Sequence, residues 1–250
     1  MILPPLLVSL PMYDWPEVRA ATDAFWAGLA RHLGVMGRLD RGGALHALWH
    51  QPQLFFSQTC GYPLTHEFKG MLNYLATPHY AADGCEEASY CSIIFAREKQ
   101  PVEKFQTAKP ALNDQDSMSG MLALKMVMSP WLRNGEFFIP PLVTGSHLES
   151  MAAVQQGRAD ICAIDCVCVA LAQKYRPKAL KGLVEIARSP AVPGLPYVTR
   201  SGAVPIMRQH LQAAFADPEL ADARAALLLK GISVLSDEAY DIIPALEAKL

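Results

Sequence analysis

The chain has 250 residues, 51% apolar and 18% charged, with 24 acidic against 22 basic side chains. That composition describes a globular protein with chain enough for one large core or two small ones, and it excludes disorder. A net charge of −2 with no Lys/Arg block gives no electrostatic footprint for nucleic acid, and no apolar run is long enough to span a membrane.

Met1–Leu10 is apolar but broken by Pro4 and Pro5, with no basic leading segment and no small-residue cleavage site. It reads as a buried first strand and not as an export signal. As written, the chain is expected in the cytoplasm, or in the periplasm or cell envelope if a leader has been removed. Tyr13–Glu17 opens a helix with Pro16 at the first helical position. Val18, Thr22, Phe25, Leu29 and Leu33 keep the helical period, and Gly34 ends it. A helix over Ala44–Trp49, a strand over Gln53–Ser57 and a turn over Gln58–Pro63 follow, then strands Met71–Thr77 and Ser89–Ala96.

The middle of the chain repeats strand then helix three times. Thr107–Leu112 leads into Ser117–Trp131, and Phe137–Val143 into His147–Gln156, closed by Gly157. Asp160–Ile164 leads into Cys166–Tyr175. A strand Leu183–Ala187 precedes the proline-rich Ser189–Pro196. The tail is helical over Pro205–Phe215, Pro218–Leu229 and Asp237–Lys249, with a strand at Ile232–Leu235. This alternation predicts an α/β fold with mixed, mostly parallel sheets.

Such sheets bind ligands beyond the carboxyl ends of their strands. Four polar clusters fall at predicted strand ends: Ser57–Tyr62, Asn113–Gly120, Thr144–His147 and Asp165. In Asn113–Gly120, Ser117 and Ser119 can add hydroxyls to the free amides of a helix start, and Gly120 admits a close ligand, which together make an anion pocket. The plainer reading is a helix cap by Asp116 or Ser117. No Glu or Gln stands three residues later to complete a capping box, while Asp114 and Asp116 would repel an anion. Ser146 with Glu149 fits a capping box, which leaves Thr144 and His147 unexplained; His147 either donates to an anion or is solvated. Asp165 either meets a ligand amine or hydroxyl, or caps the next helix. Tyr13, Tyr62 and Tyr197 each border a proline or glycine turn and suit a pocket wall, or are ordinary half-buried aromatics.

Six cysteines are too few for a disulfide scaffold, and no pair has zinc-type spacing. Cys60 and Cys85 lie beside glycines in loops and can pair in an oxidising compartment. A nucleophile built from Cys60 and His147 lacks any local signature. The seven histidines are scattered, and His46 and His50, four apart, sit on a face partly packed by Leu45 and Trp49. No metal, no cofactor and no catalytic residue is assigned.

Several segments together resemble the phosphate/phosphonate-type periplasmic substrate-binding proteins of ABC transporters, which have the type 2 periplasmic-binding fold. They are Tyr13-Asp14-Trp15-Pro16, Gln58-Thr59-Cys60-Gly61-Tyr62-Pro63, Asn113 with Ser117-Met118-Ser119-Gly120, Thr144-Gly145-Ser146-His147 with Ser150, Gly157 with Asp160 and Asp165, and Pro193–Tyr197. The resemblance implies two lobes joined by two crossing strands, with a ligand cleft between them. Lobe 1 would be 1–88 plus 189–250, and lobe 2 would be 89–188. It implies a solute-binding protein that closes on a small anionic ligand, a phosphonate or other phosphorus oxyanion compound, held by Ser117–Gly120 with His147. Asp165 would meet a ligand amine; Tyr13, Thr59, Tyr62 and Tyr197 would line the other lobe. Met118 stands where the family usually has a second hydroxyl, which removes one donor. The implied partner is an ABC permease and the implied state a monomer; a cytosolic ligand sensor and a small-metabolite enzyme of the same fold are the alternatives.

Overall fold

The computed structural model describes residues 6–236 and 238–250. Met1–Pro5 of the expected first strand and Asp237 of the expected last helix lie outside the described residues. The chain opens with β1 (Leu7–Ser9), α1 (Arg19–Leu33), α2 (Leu45–Trp49), β2 (Leu54–Gln58), α3 (Gly61–Thr65) and β3 (Asn73–Tyr80). It continues through β4 (Cys85–Glu86), β5 (Ser89–Tyr90), β6 (Ser92–Ala96), β7 (Pro110–Leu112), α4 (Ala123–Met128) and β8 (Leu142–Val143). Then come α5 (His147–Gln155), β9 (Ile161–Asp165), α6 (Cys166–Tyr175), β10 (Val184–Arg188), β11 (Val192–Pro193) and β12 (Tyr197–Thr199). The tail holds α7 (Val204–Ala216), α8 (Ala221–Ala226), β13 (Leu229–Ser233) and α9 (Ile242–Glu247).

Local chemistry explains where boundaries depart from expectation. α1 starts at Arg19 and not at Pro16, because Trp15–Val18 forms a turn in which Val18 N–H donates to the Trp15 carbonyl at 2.9 Å. Its apolar face buries Phe25, Trp26 and Leu29, and Gly34 ends it. The expected turn at Gln58–Pro63 contains α3. Thr65 Oγ1 donates back to the Gly61 carbonyl at 3.0 Å, and Pro63 sits in the first turn, where no backbone N–H is needed. The strand expected over Phe137–Val143 survives only as β8, since Pro140 and Pro141 cannot donate to a ladder.

The chain divides into two compact units, Met1–Ala81 with Pro193–Tyr240, and Ala82–Val192 with Asp241–Leu250. The expected division left the whole tail in lobe 1; here its last ten residues cluster with the second unit, where the Leu250 backbone approaches Gly135. The first unit is built on a sheet of order β1-β2-β12-β3-β13, with α1 packed against α7 and α8. Phe25, Phe56, Leu75 and Val198 are buried in its core.

The second unit is built on a sheet of order β10-β6-β9-β7-β8. All five residues of β9 are buried, as a central strand with both faces covered requires. The sheets are mixed, but they are not mostly parallel. β1 with β2, β7 with β8 and β7 with β9 run parallel. β12 with β2 and β3, β13 with β3, and β6 with β9 and β10 run antiparallel. Each of the parallel pairs joins strands with at least one helix between them in the chain, as a parallel connection requires.

Candidate ligand-binding site

β7, β8 and β9 are parallel and in register, with Leu112 beside Val143 and Ala111 beside Cys162. Their carboxyl ends therefore share one edge of the second unit's sheet. Three of the four polar clusters follow those ends directly. Backbone bonds hold two of them together: Thr144 N–H donates to the Leu112 carbonyl at 2.8 Å and Gly145 N–H to the Asn113 carbonyl at 3.0 Å.

The helix after β7 does not start as an α-helix. Met118–Leu122 is one π-helical turn, in which Leu122 N–H reaches the Ser117 carbonyl at 3.0 Å, and α4 continues it. Such turns widen the backbone and recur at functional sites. Ser117 is the N-cap: its Oγ accepts from Gly120 N–H at 2.9 Å. The capping role weighed for Ser117 is thus realised. Gly120 is required by close approach. A Cβ there would stand 1.7 Å from Asn113 Oδ1 and 2.8 Å from its Cγ. Met118 is 1% exposed and is part of the hydrophobic interior, so a side chain in place of the usual hydroxyl contributes packing here.

Ser119 Oγ lies 2.9 Å from His147 Nε2 and 3.5 Å from Ser117 Oγ. His147 is the first residue of α5, whose N-cap Ser146 accepts from Glu149 N–H at 3.2 Å. Burial lowers the His147 pKa to about 4; the Ala163 carbonyl acts in the opposite sense but makes no hydrogen bond of normal geometry to Nδ1. His147 is therefore neutral at pH 7 and has one N–H to offer. Its Nδ1 and Asn113 Oδ1 are both closed off from solvent without a hydrogen-bond partner. Buried polar atoms of this kind mark places where, among the described residues, the polar complement is incomplete.

The Thr144 hydroxyl is spent on structure: its single hydrogen is shared between the Leu112 and Ser146 carbonyls at 3.0 and 3.1 Å, and Ser150 Oγ lies 2.7 Å away as a donor to it. Ser150 is fully buried, and its role in holding Thr144 was not singled out from the sequence. The signal was available, because Ser150 lies one helical turn beyond the Ser146 cap. Asp165 is 1% exposed and caps α6, with Oδ1 accepting from Val167 N–H at 2.7 Å and Cys168 N–H at 3.4 Å.

The remaining expected residues belong to the first unit. Tyr13 packs edge-on against Tyr80 at 5.0 Å, and Tyr62 stacks on His66 at 3.9 Å. Thr59 is fully buried, its N–H donating to the Pro196 carbonyl at 3.1 Å. Tyr197 lies in the middle of the sheet against Phe56, and burial raises its phenol pKa. It is a core residue of this unit and not a half-buried wall. His46 and His50 do have a carboxylate between them: Glu67 accepts from both, at 2.6 and 2.7 Å, and their imidazoles hold its pKa below the usual range. The six cysteines are free thiols, and Cys85 faces Cys166 at 3.3 Å.

Comparison with known proteins agrees with this architecture. A family model described as ABC transporter, phosphonate, periplasmic substrate-binding protein matches residues 9–240. No curated protein matches the sequence. Among solved structures, PhnD1 from Prochlorococcus marinus in complex with methylphosphonate is 14% identical with a TM-score of 0.79, covering 98% of this chain and 97% of that one. A binding protein component of an ABC phosphonate transporter from Pseudomonas aeruginosa is 16% identical with a TM-score of 0.78, covering 98% and 85%. XAC2383 from Xanthomonas citri bound to ATP is 18% identical with a TM-score of 0.71, covering 98% and 97%. At such identities these structures speak to the fold, the mixed α/β two-lobe fold of periplasmic binding proteins. Among the described residues no helix is long and apolar enough to cross a membrane. The match over residues 9–240 places the chain in the family of phosphonate periplasmic substrate-binding proteins of ABC transporters.

Proposed function

We propose that this protein binds a phosphonate, or a closely related phosphorus oxyanion, at the Ser117–Gly120 turn beside His147, and delivers it unchanged to an ABC permease. The observation that carries this reading is the contact of Ser119 Oγ with the neutral His147 ring at the start of a helix, 2.9 Å apart. Hydroxyl, imidazole N–H and helix-start amides are donors without a full positive charge, and together they suit a small oxyanion. Methylphosphonate, the ligand held by the similar Prochlorococcus protein, is the first compound to try.

In this reading Asn113, Thr144 and Asp165 shape the same pocket: Thr144 and Asp165 fix the loops, and by the family resemblance the Asp165 carboxylate meets an amine on the ligand. Tyr13, Thr59 and Tyr62 of the first unit enter the proposal through the family resemblance alone, and Tyr197, a core residue, is left out of it. Binding gains affinity from contacts made only in the ligand-bound state. The protein acts as a monomer in the periplasm, the compartment that the family description names.

A thermal-shift titration with methylphosphonate, phosphite, phosphate and 2-aminoethylphosphonate tests the reading, with sulfate and ATP as controls. Ligand at 100 times its dissociation constant should stabilise the protein by about 2.7 kcal/mol. Recovery of the compound chemically intact is expected. No shift with any phosphorus oxyanion would remove the ligand class, and release of a hydrolysis product would make the protein an enzyme.

A further inference from the structure

The second unit contains a thiol pair that the binding role does not use. Cys85 lies in the β4–β5 hairpin and is partly exposed, whereas Cys166 is the first residue of α6 and is 1% exposed. Their Sγ atoms are 3.3 Å apart, although the residues are 81 positions apart in sequence. The backbone holds them there. Cys91 N–H donates to the Gly84 carbonyl at 3.0 Å, and Cys166 N–H donates to the Cys91 carbonyl at 3.2 Å. Gly84, at φ +100°, lets the hairpin come down onto the start of α6; a Cβ there would stand 2.8 Å from Cys91 Sγ and 3.0 Å from Cys166 Cβ. A disulfide needs the sulfurs at about 2.05 Å, so closure asks for a movement of roughly 1.3 Å, within the reach of side-chain rotation.

We propose that Cys85 and Cys166 form a reversible disulfide by exchange with a small-molecule disulfide, which fastens the β4–β5 hairpin to the first residue of α6, next to the Asp165 cap. A cavity of about 220 Å³ lined by Asp83, Phe95, Cys166, Val169, Glu185 and Arg188 reaches the buried partner from the surface. The partly exposed Cys85, as thiolate, attacks one sulfur of the reagent RSSR. A mixed disulfide forms on Cys85 and the first RS⁻ leaves and takes a proton. Cys166, as thiolate, then attacks the Cys85 sulfur; the Cys85–Cys166 bond forms as the second RS⁻ leaves. Two protein thiols are oxidised and one RSSR is reduced to two RSH. The Cys85 side chain beside it, burial and the Asp165 carboxylate hold the Cys166 thiol pKa well above the usual range in the reduced pair, and because the thiolate is the attacking form, exchange quickens as pH rises. The periplasm named for the family is an oxidising compartment, where such a bond persists.

The test is to incubate the full chain with oxidised glutathione at pH 8 and map its peptides without reduction. The expected result is a Cys85–Cys166 cross-linked peptide and a fall in thiols titratable in denaturant from six to about four, reversed by dithiothreitol. Cys91→Ser should leave that result unchanged. Cys166→Ala should trap glutathione on Cys85 as a lasting adduct, and if that variant does not fold, the wild-type map decides alone. A cross-link through Cys91 or Cys60, or a wild-type protein that ends with glutathione on Cys85 and Cys166 still alkylated, would overturn the proposal.

Discussion

Ser119 Oγ and His147 Nε2 meet at 2.9 Å, and this contact joins the first turns of two helical segments that follow neighbouring parallel strands. Each group is the other's partner, so an oxyanion bound at this turn must compete for both. Ser119→Ala removes one donor to a charged ligand, worth about 1.5–3 kcal/mol, and should weaken methylphosphonate binding roughly 10- to 100-fold. Calorimetric titration of the variant reads this directly; unchanged affinity would move the ligand away from this turn.

His147 makes stability depend on pH. Its pKa in the folded protein is about 4 against an ordinary 6.5, because burial penalises the charged ring. Below pH 6.5 the unfolded chain takes up a proton that the folded one refuses, so stability falls as pH drops from 6.5 towards 4 and levels off below. The loss amounts to at most about 3 kcal/mol. Urea midpoints at pH 7 and pH 4.5 should differ less in His147→Gln than in the wild type; equal slopes would show that the ring is solvated.

Gly120→Ala would drive a methyl group into the Asn113 amide, where the ideal Cβ lies 1.7 Å from Oδ1. Overpacking of this kind costs about 1–3 kcal/mol. Asn113→Ala removes both close atoms, and the next neighbour is the Asn113 backbone nitrogen at a tolerable 3.4 Å. The double variant should therefore recover most of the loss. A double-mutant cycle in urea denaturation checks it, with a strong favourable coupling expected and simple additivity counting against the contact.

Asp165 separates capping from recognition. Asp165→Ala deprives Val167 and Cys168 N–H of their acceptor and should cost about 0.5–2 kcal/mol. Asp165→Asn keeps an oxygen at the cap and should fold with little loss, since Asn and Asp cap almost equally well. That second variant should nonetheless lose any preference for 2-aminoethylphosphonate over methylphosphonate. Comparing the two ligands by thermal shift in wild type and Asp165→Asn measures the effect, and a retained preference would leave Asp165 as a cap alone.

Much of this was readable from residue order. Local rules located α1, α5 and α6: apolar spacing marked Phe25 and Leu29, Ser146 marked its cap, and Gly34 and Gly157 marked the ends. The Pro140-Pro141 pair, by contrast, cancelled most of an expected strand, because a ladder needs N–H donors that proline lacks. The strand–helix repeats also signalled parallel pairing, and β7, β8 and β9 do pair that way. The antiparallel entry of β12 and β13 carries no local signal, since strand direction depends on where the chain returns from.

The site divides in the same manner. By itself the sequence determined that small polar residues follow three successive strands, and that Ser117 could cap, because capping and turn chemistry act over three or four residues. Only the tertiary structure decided which hydroxyls keep a free role. It spent Thr144 on Ser150 and two carbonyls, placed Tyr197 in a sheet core, and set Ser119 against His147 and Cys85 against Cys166. Those pairs lie 28 and 81 residues apart, and no local preference reaches so far. Sheet register brings them together, and the desolvation that accompanies it gives His147 its neutral ring.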